Sequence, residues 1–307
     1  MTRWLRLKPR QRFNSVFRQL VFEAIGTHWI VDIVEDLDGG LFESLERAIH
    51  ERIEEFDKNY SRFRHDGWIE RLATQAGTYE VPADAGPLLA LYEKVYRVTE
   101  GAVTPLIGQV LVDAGYDAEY SLQSKNELMR PPRWDEVIEY KYPLLTMKKP
   151  AVLDFGAAGK GYLVDLIAEL ISSFGVASFT VDAGGDMRHQ SSINEVLKVG
   201  LEHPEDTSLA IGVAGLGNRS LCGSAGSRRK WGEYHHIIDP RTLTSPRNIL
   251  AVWVMAESTM LADAMTTCLF FMEPEKVRSE FVFDYLIMYA DYSVSKSAGF
   301  SAELFTA

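Results

Sequence analysis

Only two cysteines, Cys222 and Cys268, occur in 307 residues, and they stand far apart. That scarcity excludes a disulfide framework and every cysteine-based metal spacing. Cys268 lies in the apolar run Cys268-Leu269-Phe270-Phe271, the setting of a buried free thiol. Long hydrophobic runs are missing too, for no stretch approaches the roughly 18 residues of a membrane helix. Positive charge is in deficit: 32 Lys and Arg against 43 Asp and Glu leave a net charge of −11. A chain this acidic lacks the basic face that non-specific nucleic-acid binding needs. Nor is there an apolar leader core at the start, because Phe17 to Ile25 is interrupted by Arg18, Gln19 and Glu23, with no cysteine nearby for a lipid anchor. These absences lead us to expect a cytoplasmic protein with no nucleic-acid partner and no stable membrane anchor.

What is present reads as one large α+β domain. Residues 1–21 form a basic segment (Arg3, Arg6, Lys8, Arg10, Arg12, Arg18) expected to be solvated, and residues 22–307 form the domain proper. Trp29 to Val34 reads as a strand, and Leu41, Leu45, Ile49, Ile53 and Phe56 mark the apolar stripe of a helix. A second helix is expected over Pro87 to Glu100, a strand over Ala177 to Asp182, and further strands at Leu197 to Leu201, Leu209 to Val213 and Leu250 to Met255. Residues 122–150 read as a polar excursion, and Met260 to Phe271 as a helix. Strands and helices mingle too irregularly for a βαβ series, so mixed sheets with flanking helices are expected.

The most informative stretch is Leu153-Asp154-Phe155-Gly156-Ala157-Ala158-Gly159-Lys160-Gly161-Tyr162. It is expected to run from a strand, through small residues, into a helix carrying Leu163, Leu166, Ile167, Leu170 and Ile171. Small residues let a ligand approach the backbone, the helix start offers free N–H groups, and Lys160 adds a point charge suited to phosphate. The pattern is neither a Gly-x-Gly-x-x-Gly fingerprint nor a Walker loop. A phosphate site and a plain tight turn both fit it. Thr180 to Asp186 ends a second strand in Gly184-Gly185, and Ser224 to Arg229 offers hydroxyls and guanidiniums; each suits a ligand or a turn equally.

Two further groups carry chemistry. Asp263 and Thr267 are four apart, so on a helix their oxygens share a face, as a hard cation such as Mg²⁺ requires; a local helix bond explains the pair as well. In Tyr234-His235-His236-Ile237-Ile238-Asp239-Pro240-Arg241-Thr242, strand alternation lets only one histidine face a given site.

In their order, these segments resemble the ApbE family, the FAD:protein FMN transferases. Asp154 to Gly161 is similar to the family's Asp-Leu-Gly-Gly-Ile-Ala-Lys-Gly turn. Ile25-Gly26-Thr27, Tyr60-Ser61-Arg62-Phe63, Thr99-Glu100-Gly101-Ala102 with Pro105 and Gly108, and Gly184-Gly185-Asp186 follow in family order. Ser224, His236 to Thr242 and Met260-Leu261-Ala262-Asp263-Ala264 with Thr267 complete the set. The resemblance implies a bilobed ApbE-type fold with FAD between the lobes. It implies Mg²⁺ on Asp263, Thr267 and the Gly159 carbonyl, and catalytic roles for His236, Asp263 and Lys160. Flavin contacts would come from Phe63, with Tyr60 as second choice for the ring, and from Thr99, Gly101, Asp154, Gly184, Gly185, Asp186, Ser224, Arg228 and Asp239. The implied reaction moves FMN from FAD to a Ser or Thr hydroxyl of a flavoprotein, releasing AMP. An FAD pyrophosphatase and a non-catalytic flavin binder are the alternatives. The chain departs from the family at Ile25 (Met), Phe63 (Tyr), Thr104 (Asp), Ala157-Ala158-Gly159 (Gly-Ile-Ala) and Ala225-Gly226 (Gly-Asp), and the two lost carboxylates put FAD affinity in question.

Overall fold

A computed structural model describes residues 5–6 and 18–305. Its strands begin with β1 (Leu5–Arg6), β2 (Arg18–Ala24) and β3 (Thr27–Ile33). Helix α1 (Gly39–Tyr60) follows, started by the Asp38 side chain, which accepts from Gly40 N and Leu41 N. Next come α2 (Trp68–Thr74), β4 (Gly77–Glu80), α3 (Ala85–Val98), a short 3₁₀ turn (Pro105–Ile107) and α4 (Gly108–Asp113). The expected polar excursion holds α5 (Trp134–Val137) and the hairpin of β5 (Ile138–Lys141) and β6 (Leu144–Met147), and β6 pairs with β4 in a small separate sheet.

The second half contains α6 (Gly159–Ser173), β7 (Phe179–Ala183), β8 (Asp186–Gln190), β9 (Leu197–His203), β10 (Asp206–Leu216) and β11 (Ser220–Ala225). It continues with β12 (Lys230–Trp231), β13 (Tyr234–His235), β14 (Ile249–Ala256), α7 (Thr259–Cys268), α8 (Pro274–Arg278), β15 (Asp284–Tyr289), β16 (Val294–Lys296) and β17 (Ala302–Leu304). The main sheet has eight strands in the order β16-β15-β14-β11-β8-β7-β3-β2.

Alternation along the central strands builds three layers. On β14, Val252, Val254 and Ala256 join the core under the helices, whereas Ala251, Trp253 and Met255 join a second core against the β9–β10 sheet. Strand β15 repeats this, with Tyr285 and Ile287 on one side and Leu286 and Met288 on the other. Because the pleat sends successive side chains to opposite faces, a strand buried on both faces reads as one apolar run.

Four expectations need correction. Every strand pairing among the described residues is antiparallel, so the α+β class stands but the sheets are not mixed. Residues 151–155 carry no regular secondary structure and join no sheet; Asp154 N instead donates to the Pro105 carbonyl (2.7 Å). The boundary drawn at residue 21 falls inside β2, whose alternation Leu20, Phe22, Ala24 was masked by flanking charges. Residues 1–4 and 7–17 of the basic segment lie outside the described residues. Finally, the helix expected over Pro87 to Glu100 runs from Ala85 to Val98.

Candidate active site

A cleft of about 2000 Å³ opens between the main sheet with its helices and the β9–β10 layer. Twelve of the site residues expected from sequence reach its wall: Tyr60, Phe63, Asp154, Gly159, Lys160, Gly184, Gly185, Ser224, Arg228, His236, Asp263 and Thr267.

Helices α6 and α7 set one wall, and their contact is close. Gly161 N donates to Asp263 Oδ2 (2.9 Å). A Cβ on Gly161 would sit 2.3 Å from the Thr259 carbonyl oxygen and 2.7 Å from Asp263 Cβ, so only glycine permits this approach. One turn on, Asp165 of α6 accepts from Thr259 N and Met260 N (2.8 Å each) and caps α7. The Asp263 carboxyl, 5% exposed, is pushed well above the usual carboxylate range by burial and by the charge of Asp186, against the pull of Lys160. Thr267 lines the same wall, and its hydroxyl makes no hydrogen bond to the described residues. No group of three His, Cys, Asp or Glu side chains able to hold a metal occurs among the described residues. One carboxylate and one hydroxyl are nevertheless a fitting set for Mg²⁺, which keeps several waters and takes its remaining ligands from substrate phosphates.

Lys160 is committed elsewhere. Its ammonium pairs with the buried Asp186 and donates to the Ala183 carbonyl (3.2 Å). Burial works against its charge, yet Asp186 and Asp263 together raise its pKa. It therefore braces the β7–β8 hairpin against α6 more than it offers a free phosphate ligand. That hairpin turns on Gly184 (φ 62°) and Gly185 (φ 103°), the positive pair that a two-residue turn of this twist demands.

Of the two histidines, His236 lines the cleft and His235 does not. His235 Nε2 faces the Pro246 carbonyl (3.0 Å) and its Nδ1 accepts from Ile237 N (3.2 Å). His236 Nδ1 is enclosed without a partner, and Nε2 carries no hydrogen bond to the described residues. Burial, then the nearby charges of Arg229, His235 and Lys160, lower its pKa to about 3, so the ring is neutral.

Several expected ligands have other duties. Asp154 accepts from Gly156 N (2.7 Å) and pairs with Arg62 Nε (2.6 Å). Ser224 Oγ lies 2.8 Å from Thr266 Oγ1, and Arg228 pairs with Glu202 (2.7 Å). Four expected ligands do not line the cleft. Thr99 donates to the Val95 carbonyl and accepts from Val103 N, and Gly101 (φ 81°) turns the chain beyond it. Asp186 is spent on Lys160. Asp239 grips the Arg241 guanidinium (2.7 Å) and closes the turn after His236. Tyr60 shows the cleft only a margin, since its ring packs edge-on to Phe155 and Trp68 and its hydroxyl donates to Asp84.

The structure also gives roles to residues that the sequence left without one. Arg62, its side chain 3% exposed, ties Asp154 to the Tyr116 carbonyl and lies 4.1 Å over the Phe63 ring. Tyr120 stacks on Phe63 (5.7 Å, 13°) and is 50% exposed at the cleft mouth, so it presents the open aromatic face. The turn holding it is left-handed at Tyr120 (φ 51°) and Leu122 (φ 53°) and is braced by Asp117. Its only signal was the Gly115-Tyr116-Asp117 turn chemistry. Two departures from the family motifs also gain a physical reason. Thr104 caps the 3₁₀ turn through Leu106 N (3.2 Å), and a Cβ at Gly226 would press on the His235 ring at 3.1 Å, leaving little room for a larger residue.

Fold and site thus define an α+β protein whose layers flank a large open cleft, with an oxygen-donor pair and a neutral histidine on its walls. The chain belongs to the ApbE family, whose sequence model matches residues 25–282. It is 27% identical over 271 residues to the FAD:protein FMN transferase of Haemophilus influenzae, covering 79% of this chain and 78% of that one. It is likewise 27% identical over 270 residues to the FAD:protein FMN transferase of Treponema pallidum, covering 77% and 74%. The fold is that of the flavin transferase ApbE from Vibrio cholerae (TM-score 0.76, 19% identity, 92% of this chain and 97% of that one). The ApbE protein of Thermotoga maritima gives the same TM-score at 22% identity, again over 92% and 97%.

Proposed function

We propose that this chain transfers the FMN moiety of FAD to a Ser or Thr hydroxyl of an acceptor flavoprotein, in a Mg²⁺-dependent reaction that releases AMP. The observation that carries the proposal is the convergence of Asp263, Thr267 and His236 on one cleft, in a chain whose relatives are named for this transfer. In the step proposed, the acceptor oxygen attacks the flavin-side phosphorus, a new P–O bond forms, and the pyrophosphate P–O bond breaks so that AMP leaves with the bridging oxygen. His236 Nε2 takes the hydroxyl proton. A pKa near 3 makes it a weak base alone, but a bound pyrophosphate raises it by charge proximity. Asp263 and Thr267 hold Mg²⁺, which when bound neutralises pyrophosphate charge. The remaining work is positioning: the α6–α7 contact fixes Asp263, and the Phe63–Tyr120 pair gives the flavin ring a face to stack on.

Incubating the protein with FAD and Mg²⁺, with and without a flavoprotein acceptor, tests this by chromatography of AMP. AMP that appears only with acceptor supports transfer. AMP in its absence would make the protein a pyrophosphatase, and binding without AMP in either case would make it a flavin binder. A cytoplasmic acceptor is also proposed, in keeping with two buried free thiols; recovery of the protein in an extracytoplasmic fraction of cells would overturn that part. No helix among the described residues is long and apolar enough to cross a membrane.

A further inference from the structure

The cleft wall carries several cations, and most are already matched. Arg62 pairs with Asp154, Lys160 with Asp186 and Arg228 with Glu202. A guanidinium held by a carboxylate has its charge and its fork of donors spent, and a phosphate must displace the acid to use it. Arg229 differs. It lines the cleft, and no carboxylate among the described residues lies within ion-pair distance of it. Its Nη1 donates instead to the Tyr116 hydroxyl (3.0 Å), a neutral partner that orients the side chain without cancelling its charge.

Tyr116 is itself fixed. Its ring stacks on Trp231 (5.7 Å, 25°), whose Nε1 donates to the Ala114 carbonyl (2.7 Å). Burial pushes the Tyr116 pKa up to about 12, so the hydroxyl stays protonated at neutral pH and leaves the guanidinium its full charge. The backbone places Arg229 beside the candidate base, since His236 N donates to the Arg229 carbonyl (3.1 Å). A held cation with no acid partner among the described residues, adjoining a neutral histidine in a large open cleft, is the arrangement that receives an anionic phosphate.

We infer that Arg229, not its neighbour Arg228, is the side chain that binds the phosphate oxygens of the flavin nucleotide substrate, with Tyr116 as its positioning residue. The inference rests on the flavin-nucleotide reading above and names the group that meets the ligand's charge. Lys198 and Lys296 also line the cleft without a carboxylate partner among the described residues, but they stand on β9 and β16, in the other layer and at the far edge of the main sheet.

The test measures binding of FAD, FMN and riboflavin by flavin fluorescence in the full chain and in Arg229→Gln, Arg229→Lys, Arg228→Gln and Tyr116→Phe, with thermal melts to check folding. Riboflavin carries the ring but no phosphate. The expected result is that Arg229→Gln weakens FAD and FMN by about tenfold to a hundredfold, the range of a lost charge-assisted contact, and leaves riboflavin within about twofold. Arg229→Lys falls between, because it keeps the charge and loses the fork. Tyr116→Phe produces a smaller loss of the same selectivity. Equal weakening of riboflavin, unchanged FAD binding, or a larger loss from Arg228→Gln would overturn the assignment. Failure of the unsubstituted chain to bind any flavin would sink the flavin reading and this inference with it. Good binding by the parent with an indifferent Arg229 sinks the inference alone.

Discussion

Replacing Gly161 by alanine is a one-carbon perturbation with a calculable consequence. The new Cβ would lie 2.3 Å from the Thr259 carbonyl oxygen and 2.7 Å from Asp263 Cβ, and the first of these is backbone that no rotamer change can move. Relief requires α6 and α7 to part by roughly 1 Å, which overpacking studies place at about 1–3 kcal/mol. In a chain of this size that lowers Tm by about 2–5 °C. The same displacement stretches the bond from Gly161 N to Asp263 Oδ2 and moves Asp263 and Thr267 away from the Lys160 turn. Misplacement on that scale costs on the order of a hundredfold in turnover. Gly217 is the control, because nothing lies within 4 Å of the Cβ that alanine would add there. The assay pairs differential scanning calorimetry with AMP release in the presence of acceptor. A Gly161→Ala protein that melts and turns over like its parent would refute the described contact between the two helices.

Other consequences follow from the same geometry. Asp263→Asn should nearly abolish AMP release while the fold survives, since an amide keeps the side chain's volume and loses the charge; isothermal titration with Mg²⁺ or Mn²⁺ should show weakened binding, and full activity at sub-millimolar Mg²⁺ would contradict the metal role. His236→Ala should cost about a hundredfold or more in FMN transfer, whereas His235→Ala should act mainly on stability, because its ring is tied to Pro246 and Ile237. The reverse ranking in a steady-state assay would contradict the placement of the two rings. The folded-state pKa of His236, about 3, lies below its ordinary value, so between about pH 6.5 and 3 the unfolded chain binds more protons than the folded one. Stability from this group is present above that window and lost as pH falls through it, and His236→Gln should flatten the acid limb of chemical-denaturation curves.

The parts of the molecule legible in the sequence were those with strong local periodicity or turn chemistry. Helix α1 announces itself through Leu45, Ile49, Ile53 and Phe56, all buried, and the β7–β8 turn through its paired glycines. Spacing on α7 put Asp263 and Thr267 on one wall, and His236 is separated from His235 as expected, but β13 ends at His235, so the bend that follows it and not strand alternation parts the two rings. What could not be read was partnership across long separations. Nothing local shows that Lys160 is claimed by Asp186, 26 residues on, or Asp154 by Arg62, 92 residues back. Arg228 and Arg229 are indistinguishable as neighbours in sequence; only the carboxylate of Glu202, brought up by β9, separates them. Residues 151–155 failed as a strand for a similar reason: though mostly apolar, they are held by the Pro105 and Leu72 carbonyls instead of a sheet neighbour.

The central claim is that a flavin phosphate becomes covalently joined to an acceptor hydroxyl, and tandem mass spectrometry of the acceptor measures that bond directly. Purified protein, FAD, Mg²⁺ and a flavoprotein acceptor should yield a single Ser- or Thr-containing acceptor peptide heavier by one FMN residue, with AMP released in equal amount, and neither should form with the Asp263→Asn protein. An acceptor of unchanged mass while FAD is cleaved to free FMN and AMP would contradict the account.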